Sequence, residues 1–362
     1  MAPKFRGNSE DWMDDHRSSK NKRADGARKK MAKARQMDLL PEQANATVAE
    51  VFPKQCRVKL DGSLGSESST GTLLCSYRRA QVIGEVRDEE FKQRAPVAVG
   101  DRVLVEPTGG QTGVLTGVTS RKNTLFRIAP GQLEKKFVHV LAANIDLVLI
   151  VASVAEPEFS PGLIDRFLVA AELEGIEPVI AVTKTDLLVS PQSSVQAHTQ
   201  GGALDQTPWR NYAHIGYTVL ELSIRAQEGL DDLFKKIQGK TVVFCGQSGV
   251  GKTSLLNTIL GQPRGKVGAV SEATGKGRHT TTSAVLLDGP AGSQWIDTPG
   301  VREFGLLKVQ ARDLGKAFPE FTRLPCTQSG CEHFAEEQCD ARSEYRYPSY
   351  LRIYQSLKEG EG

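Results

Sequence analysis

The sequence predicts a multidomain protein: a small N-terminal β-barrel, a doubly wound α/β domain and a short helical C-terminal unit. Three observations carry this. Short β-rich runs crowd residues 47–119, strand-like and helix-like runs then alternate, and three of the six cysteines fall within 326–339. At 362 residues the chain is too long for one core. Its 39% hydrophobic and 25% charged content is ordinary for a globular protein, and its net charge of +3 is unevenly placed. No run approaches the roughly 18 apolar residues of a membrane span. The N-terminus lacks a secretory apolar core, and Glu10, Asp11, Asp14 and Asp15 argue against a transit peptide. A cytoplasmic location is therefore expected. The cysteine spacing suits a metal site in a reducing compartment better than a disulfide framework.

Residues 1–40 read as a basic disordered arm. Between Arg17 and Arg35 nine Lys/Arg stand against one acid, Asp25. Such a block suits nucleic-acid phosphates; a solvated tail is the bland alternative. Residues 41–122 read as the barrel, with runs at 47–52, 55–60, 71–77, 101–105 and 113–118 separated by turn residues such as Asp61-Gly62. Five short strands point to an OB-fold. Arg78, Arg79, Arg87, Lys92 and Arg94 around its loops suit RNA, while an SH3-like barrel without a ligand is the alternative.

Residues 123–304 read as the α/β domain. A connecting segment, 125–143, leads to an apolar strand at 146–152. Ser160-Pro161 starts a helix in which Leu163, Ile164, Phe167, Leu168 and Ala171 recur at helical spacing before Gly175. Strands follow at 178–182 and 218–222, a helix at 230–237 and a strand at 241–245. His198 and His214 lie in polar, loop-like sequence and are expected to be solvated. The alternation means a mostly parallel, doubly wound sheet.

The strand at 241–245 runs into Gly246-Gln247-Ser248-Gly249-Val250-Gly251-Lys252-Thr253-Ser254, and a helical apolar face follows at 255–260. Strand, glycine-rich turn and helix is the setting a G-x-x-x-x-G-K-[ST] phosphate loop requires. Its backbone N–H groups would cradle phosphates at a helix N-terminus. Lys252 would reach the β/γ-phosphates, and the Thr253 hydroxyl would hold Mg²⁺. Thr183-Lys184-Thr185-Asp186 ends another strand, where ligands bind in open α/β sheets. The Asp186 carboxylate can accept from N1–H and the exocyclic amine of guanine together, a donor pair adenine lacks. Lys184 would pack over the ring, with Ser223 bounding its other side. In Asp297-Thr298-Pro299-Gly300, Asp297 would reach Mg²⁺ through water and the Gly300 N–H would sense the γ-phosphate. Together these motifs predict GTP and GDP as ligands and disfavour ATP.

Their order is permuted, because the base-reading motif precedes the phosphate loop. Circular permutation preserves a fold whose original termini lie close together. It also makes the segment after Gly300 run directly into the C-terminal unit, so coupling of that unit to nucleotide state is expected. The loop Gly275-Lys276-Gly277-Arg278-His279-Thr280-Thr281-Thr282 should supply a threonine to Mg²⁺. Val301 cannot orient water as a glutamine would. His279 is the nearest polar candidate for catalysis, since histidine titrates near neutrality. A loop histidine that only hydrogen-bonds its surroundings is the equal alternative.

Residues 305–362 carry Cys326-x4-Cys331-x-His333-x5-Cys339. Three thiolates and one imidazole satisfy one closed, structural, tetrahedral Zn²⁺ per chain. Flanking helices are expected near 310–318 and 343–357. The second carries Tyr345, Arg346, Tyr347, Tyr350, Arg352 and Tyr354, which suit RNA, although Tyr350 and Tyr354 also suit a core.

With these motifs in this order, the chain resembles the RsgA (YjeQ) family of small-ribosomal-subunit-dependent GTPases. The resemblance covers the basic arm, the barrel, AANID, GLIDRFLVA, TKTD, GQSGVGKTSLLN, GRHTTT, DTPGVREFG and the Cys-Cys-His-Cys loop. It implies an OB-fold, a circularly permuted P-loop GTPase domain and a C-terminal helical zinc-binding domain. It further implies GTP hydrolysis stimulated by the 30S subunit during its late maturation, with contact to 16S rRNA near the decoding region. The family's proposed catalytic histidine falls on His279. Thr183 stands where asparagine is common in guanine-reading signatures. The alternative function is a nucleotide-gated RNA-binding module in which hydrolysis is incidental; a metabolic kinase would need an acceptor site that no motif supplies. A monomer is the default expectation.

Overall fold

The computed structural model describes residues 39–62, 71–77, 92–93, 97–128, 137–188, 207–261, 284–297, 309–324, 331–334 and 339–360. The basic arm and the loop arginines Arg78, Arg79, Arg87 and Arg94 lie outside the described residues, apart from the last two positions of residues 1–40.

Five strands close the N-terminal barrel: β1 (Ala46–Phe52), β2 (Gln55–Leu60), β3 (Thr72–Ser76), β5 (Arg102–Gly109) and β6 (Thr112–Val118), with the short β4 (Lys92–Gln93) outside it. The order is β1-β2-β3-β6-β5, and β5 returns to β1 through Ala46↔Val103. Only β3–β6 is parallel. A closed five-stranded barrel is the OB-type answer to the edge-strand problem. Period-two alternation turns Cys56 and Val58 inward from β2, to meet Val48, Cys75, Val103 and Leu115. Burial pushes the Cys56 thiol up to about 12 and Cys75 to about 11, so both pack as neutral apolar groups.

The segment expected to be a plain connection is an antiparallel pair, β7 (Thr124–Ile128) and β8 (Phe137–Ala143). Tertiary burial decides this, since Leu125, Leu141 and Ala142 join the core of the α/β domain.

That domain contains β9 (Leu147–Ser153), α1 (Pro161–Leu173), β10 (Glu177–Thr183), α2 (Pro208–Ile215), β11 (Thr218–Glu221), α3 (Leu230–Ile237), β12 (Thr241–Cys245), α4 (Lys252–Leu260), β13 (Val285–Asp288) and β14 (Gln294–Asp297). The sheet order is β11-β10-β9-β12-β14-β13, parallel except for β13. All of β9 is buried, and its side chains divide between the two faces. Val148, Ile150 and Ala152 meet Phe167 and Leu168 of α1 and Tyr212 of α2. Leu147, Leu149 and Val151 meet Leu233 of α3 and Leu255 of α4. Strands β10 and β11 lie beyond β9 on one side, and β14 and β13 lie beyond β12 on the other. The chain therefore leaves β9 and β12 in opposite directions, and the crevice between them is the topological switch point. Helix α2 corrects the loop-like reading around His214, which is exposed on it; Trp209, Tyr212 and Ile215 form its buried stripe.

The sheet does not stop at β13. Glu50 of β1 pairs with Val285, and Lys59 of β2 forms an ion pair with Asp288, so barrel and α/β domain share one continuous sheet.

The C-terminal unit has a 3₁₀ turn at Ala311–Ala317, α5 (Pro319–Thr322) and α6 (Tyr347–Gly360). Tyr347, Tyr350 and Tyr354 pack with Phe318 and Phe321, so these tyrosines are core and not an RNA-facing row. Arg346 is fully buried and bridges to α1: Nε donates to Asp165 Oδ1 at 2.7 Å, and Nη1 donates to the Tyr217 hydroxyl at 3.1 Å and to Glu320 at 3.3 Å. Its guanidinium also stacks on Phe318, 4.3 Å from the ring centroid. A buried cation needs such partners. Burial raises the Glu320 carboxyl, with Arg346 pulling it back. Arg323 Nη1 adds a bond to the Ile215 carbonyl at the end of α2, 2.8 Å. The unit is therefore clamped to the half of the α/β domain that carries β10. Among the described residues no helix is long and apolar enough to cross a membrane.

Candidate nucleotide site and metal centre

The glycine-rich turn leaves β12 at the switch point. Gly246 has φ 139°, and a Cβ there would overlap the Val151 carbonyl oxygen of β9. Gly249 (φ 86°) and Gly251 (φ 94°) also need the left-handed region, and Gly251 is the N-cap of α4. Gly246→Ala is expected to cost on the order of 2 kcal/mol in a denaturant melt, because backbone must move. Gly249→Ala should cost less, since its Cβ would meet the Pro157 ring at 3.4 Å and the Glu156 carbonyl oxygen at 4.0 Å, both ordinary van der Waals contacts. Equal costs at the two positions would contradict the packing argument.

Val250 is buried and fastens the turn to the core, while Gln247, Ser248 and Gly249 are exposed. Lys252 starts α4 and lies back across the loop, its Nζ donating to the Gly246 carbonyl at 2.7 Å and the Gln247 carbonyl at 2.6 Å. Thr253 and Ser254 are exposed on the first turn. This puts the Lys252 ammonium and the N-terminus of α4 together at the loop, the two groups a bound phosphate would use. Beneath it, burial raises the Cys245 thiol despite Lys252, so it stays a packing group.

The Thr183-Lys184-Thr185-Asp186 motif begins at the end of β10, at the same edge of the sheet. Thr183 is buried, and its hydroxyl lies 3.0 Å from the Ala152 carbonyl and 2.6 Å from that of Val250. It thus ties β10 to the phosphate loop, which the residue pattern had not revealed. Lys184 sits at φ 61° and its Nζ donates to the Ala155 carbonyl at 3.3 Å and to that of Glu156. Thr185 and Asp186 open a 3₁₀ turn, and the Thr185 N–H donates to the Leu222 carbonyl at 3.3 Å. Ser223 is fully buried. Its hydroxyl donates to Asp186 Oδ1 at 2.8 Å and accepts from the Ala226 N–H at 3.0 Å. It therefore fixes the orientation of the Asp186 carboxylate. The second oxygen, Oδ2, retains acceptor capacity for a ligand.

Asp297 ends β14, which lies parallel to β12 with Val243 opposite Ile296, so it reaches the same carboxyl edge. Gly300, His279, the neighbouring threonines and Cys326 lie outside the described residues.

In the C-terminal unit the ligand atoms of Cys331, His333 and Cys339 all lie within 4.8 Å of one another. His333 Nδ1 is 3.1 Å from Cys339 Sγ and 3.5 Å from Cys331 Sγ. His333 adopts φ 57°, and a side chain at Gly315 would crowd its ring at 3.1 Å. Two sulfurs and an imidazole converging on one point can hold a metal, and that donor set suits a soft, tetrahedral ion.

Comparison with known proteins agrees with this geometry. The profile described as RsgA GTPase matches residues 118–307. A Vibrio cholerae protein named small ribosomal subunit biogenesis GTPase RsgA is 40% identical over 279 residues, 72% of this chain and 68% of the relative. One of the same name from Haemophilus influenzae is 37% identical over 318 residues, 83% and 88%. The crystal structure of YjeQ from Thermotoga maritima matches with a TM-score of 0.61 at 26% identity, covering 87% of this chain and 98% of that one. YloQ, described as a circularly permuted GTPase, matches at 0.59 and 26%, covering 87% and 94%. A permuted α/β sheet, a glycine-rich loop braced by Thr183 of β10, and relatives alike over most of their length have one reading: the chain belongs to the RsgA GTPase family.

Proposed function

We propose that this GTPase couples GTP hydrolysis to late maturation of the small (30S) ribosomal subunit, in the cytoplasm and as a monomer. The observation that carries it is the pairing of Asp186, oriented by Ser223, with the phosphate loop braced by Thr183, in a family whose relatives bear that biogenesis name. In this reading residues 1–40 and the barrel (41–122) bind 16S rRNA, residues 123–304 bind nucleotide, and residues 305–362 form the zinc unit. Asp186 with Thr183, Lys184, Thr185 and Ser223 reads guanine; residues 246–254 hold the phosphates. Thr253 and Asp297 would hold the Mg²⁺, which spreads negative charge off the phosphates. Gly300 senses the γ-phosphate, and His279 positions the attacking water. Cys326 completes the ligand set with Cys331, His333 and Cys339 around one Zn²⁺.

Hydrolysis measured with and without purified 30S subunits tests this. Partner-activated GTPases gain about 10³–10⁵ in turnover. A rate that stays flat through a subunit titration at low salt would sink the proposal. His279→Ala should abolish stimulated turnover; intact subunit maturation in cells carrying it would instead support hydrolysis as incidental.

A further inference from the structure

We infer that Ser153, the last residue of β9, is a positioning residue of the nucleotide site. It anchors a short strap, residues 154–159, whose carbonyls hold the Lys184 ammonium and so fix the lysine stem for the face of the guanine ring. The inference rests on the nucleotide reading above.

Ser153 is 1% exposed and stands opposite Thr183 in the parallel register of β9 and β10. The two hydroxyls brace different loops. That of Thr183 reaches the Val250 carbonyl of the glycine-rich loop, whereas Ser153 donates to the Pro157 carbonyl at 2.7 Å. The Val154 N–H donates to the Thr183 carbonyl at 3.1 Å, so the strap leaves β9 tied to the strand that carries the motif. At its far end Phe159 packs on the core, its ring centroid 5.6 Å from that of Trp209 and 6.0 Å from that of Tyr212.

Between these anchors the strap touches both halves of the site. The Ala155 carbonyl accepts from Lys184 Nζ at 3.3 Å, and the Glu156 carbonyl accepts from it as well. Pro157 lies against the glycine-rich loop, where a Cβ at Gly249 would meet its ring. Glu156 and Lys184 both adopt the left-handed region, at φ 50° and 61°. Non-glycine residues stay there only where their surroundings fix them.

The energetic consequence follows from the lysine stem. A free stem has many rotamers, and ordering it on binding costs affinity. Two carbonyls on the ammonium settle that choice before a ligand arrives. Without the Ser153 hydroxyl the Pro157 carbonyl loses its bond, the strap slackens, and its acceptors no longer converge on Nζ.

The test uses the full-length chain with GDP, IDP and GTP as probes. Ser153→Ala should weaken GDP binding roughly 2- to 10-fold, the range for one rotamer-rich side chain left to be ordered on binding. The loss should appear in KM for GTP and not in kcat, because a base contact is the same in ground and transition states. IDP lacks the exocyclic amine but keeps the ring face, so it should weaken by the same factor as GDP. In a Lys184→Met background, which keeps a stem and removes the ammonium, Ser153→Ala should change GDP affinity by no more than about twofold. Equal losses in the two backgrounds overturn the inference, and so does unchanged GDP affinity in Ser153→Ala. A fall in kcat would assign Ser153 to the phosphate loop, and an altered GDP-to-IDP ratio would assign it to Asp186; either result also overturns it. If Ser153→Ala does not fold, Phe159→Leu, which slackens the other end of the strap, decides in the same cycle. A wild-type chain that binds no GDP would bring down the nucleotide reading itself, a result distinct from an additive cycle.

Discussion

Asp186→Asn is expected to lower GTP affinity by about 10³–10⁴, the penalty when a buried polar site loses the partner it was built around. The physical cause is a reversal of hydrogen-bond sense. Asp186 Oδ1 already accepts from Ser223 at 2.8 Å, which leaves Oδ2 as the oxygen that would accept from the base. An amide oriented by the same serine would turn its NH₂ toward the N1–H and N2–H donors of guanine. Donor would meet donor, and a charge-assisted bond would be lost as well. Xanthosine triphosphate carries a carbonyl in place of the exocyclic amine, so it should gain where GTP loses. Competition binding of the two nucleotides to wild type and variant reads this directly. Ser223→Ala should cost far less, on the order of tenfold, because it removes an orienting bond and leaves the acceptor. Undiminished GTP binding by Asp186→Asn would remove the base-reading role.

The second large effect concerns the metal. Cys331→Ser and Cys339→Ser, singly or together with Cys326→Ser, should leave the C-terminal unit without zinc and unfolded. Metal binding in zinc-ordered loops is worth on the order of 10 kcal/mol of folding energy. The unit's helical elements before the ligands are a seven-residue 3₁₀ turn and a four-residue helix, and Cys339 itself packs against the core. Elemental analysis should find one zinc per wild-type chain. In the variants, limited proteolysis should remove residues after about 309 while GTP binding persists, since the phosphate loop and base-reading turn lie in separate cores. Zinc retained at one equivalent would refute the ligand set.

The parts legible in sequence are those in which local pattern and tertiary fate coincide. The strand at Thr241–Cys245 and the helix at Leu230–Ile237 fall where their apolar runs put them, because a buried parallel strand and an amphipathic helix both announce themselves in a few residues. The phosphate loop and TKTD were visible because their chemistry fixes residue type at fixed spacing. What escaped depends on partners far along the chain. Strands β7 and β8 read as a connection in the sequence because their apolar runs are short and their pairing joins residues as far apart as Thr124 and Ala143. The helix Pro208–Ile215 hid its Trp209, Tyr212, Ile215 stripe in polar sequence. Arg346 looked like an RNA contact in a Tyr/Arg-rich helix. Only its pairing with Asp165, 181 residues away, reveals a clamp. Ser223 shows the limit of a motif, since its type was anticipated and its bond to Asp186 was not.

The position of β12 between β9 and β14 bears on how the chain emerges from the ribosome. Strands β9, β10 and β11 leave the exit tunnel together and can pair at once, but the far side of β9 waits for Thr241–Cys245. At ordinary elongation rates that wait lasts roughly 5–20 s. Throughout it, seven consecutive residues that end fully buried present a bare hydrogen-bonding edge. An edge left bare for that long invites mispairing, and the permuted order, which places the strand ending in TKTD ahead of the glycine-rich loop, prolongs the exposure.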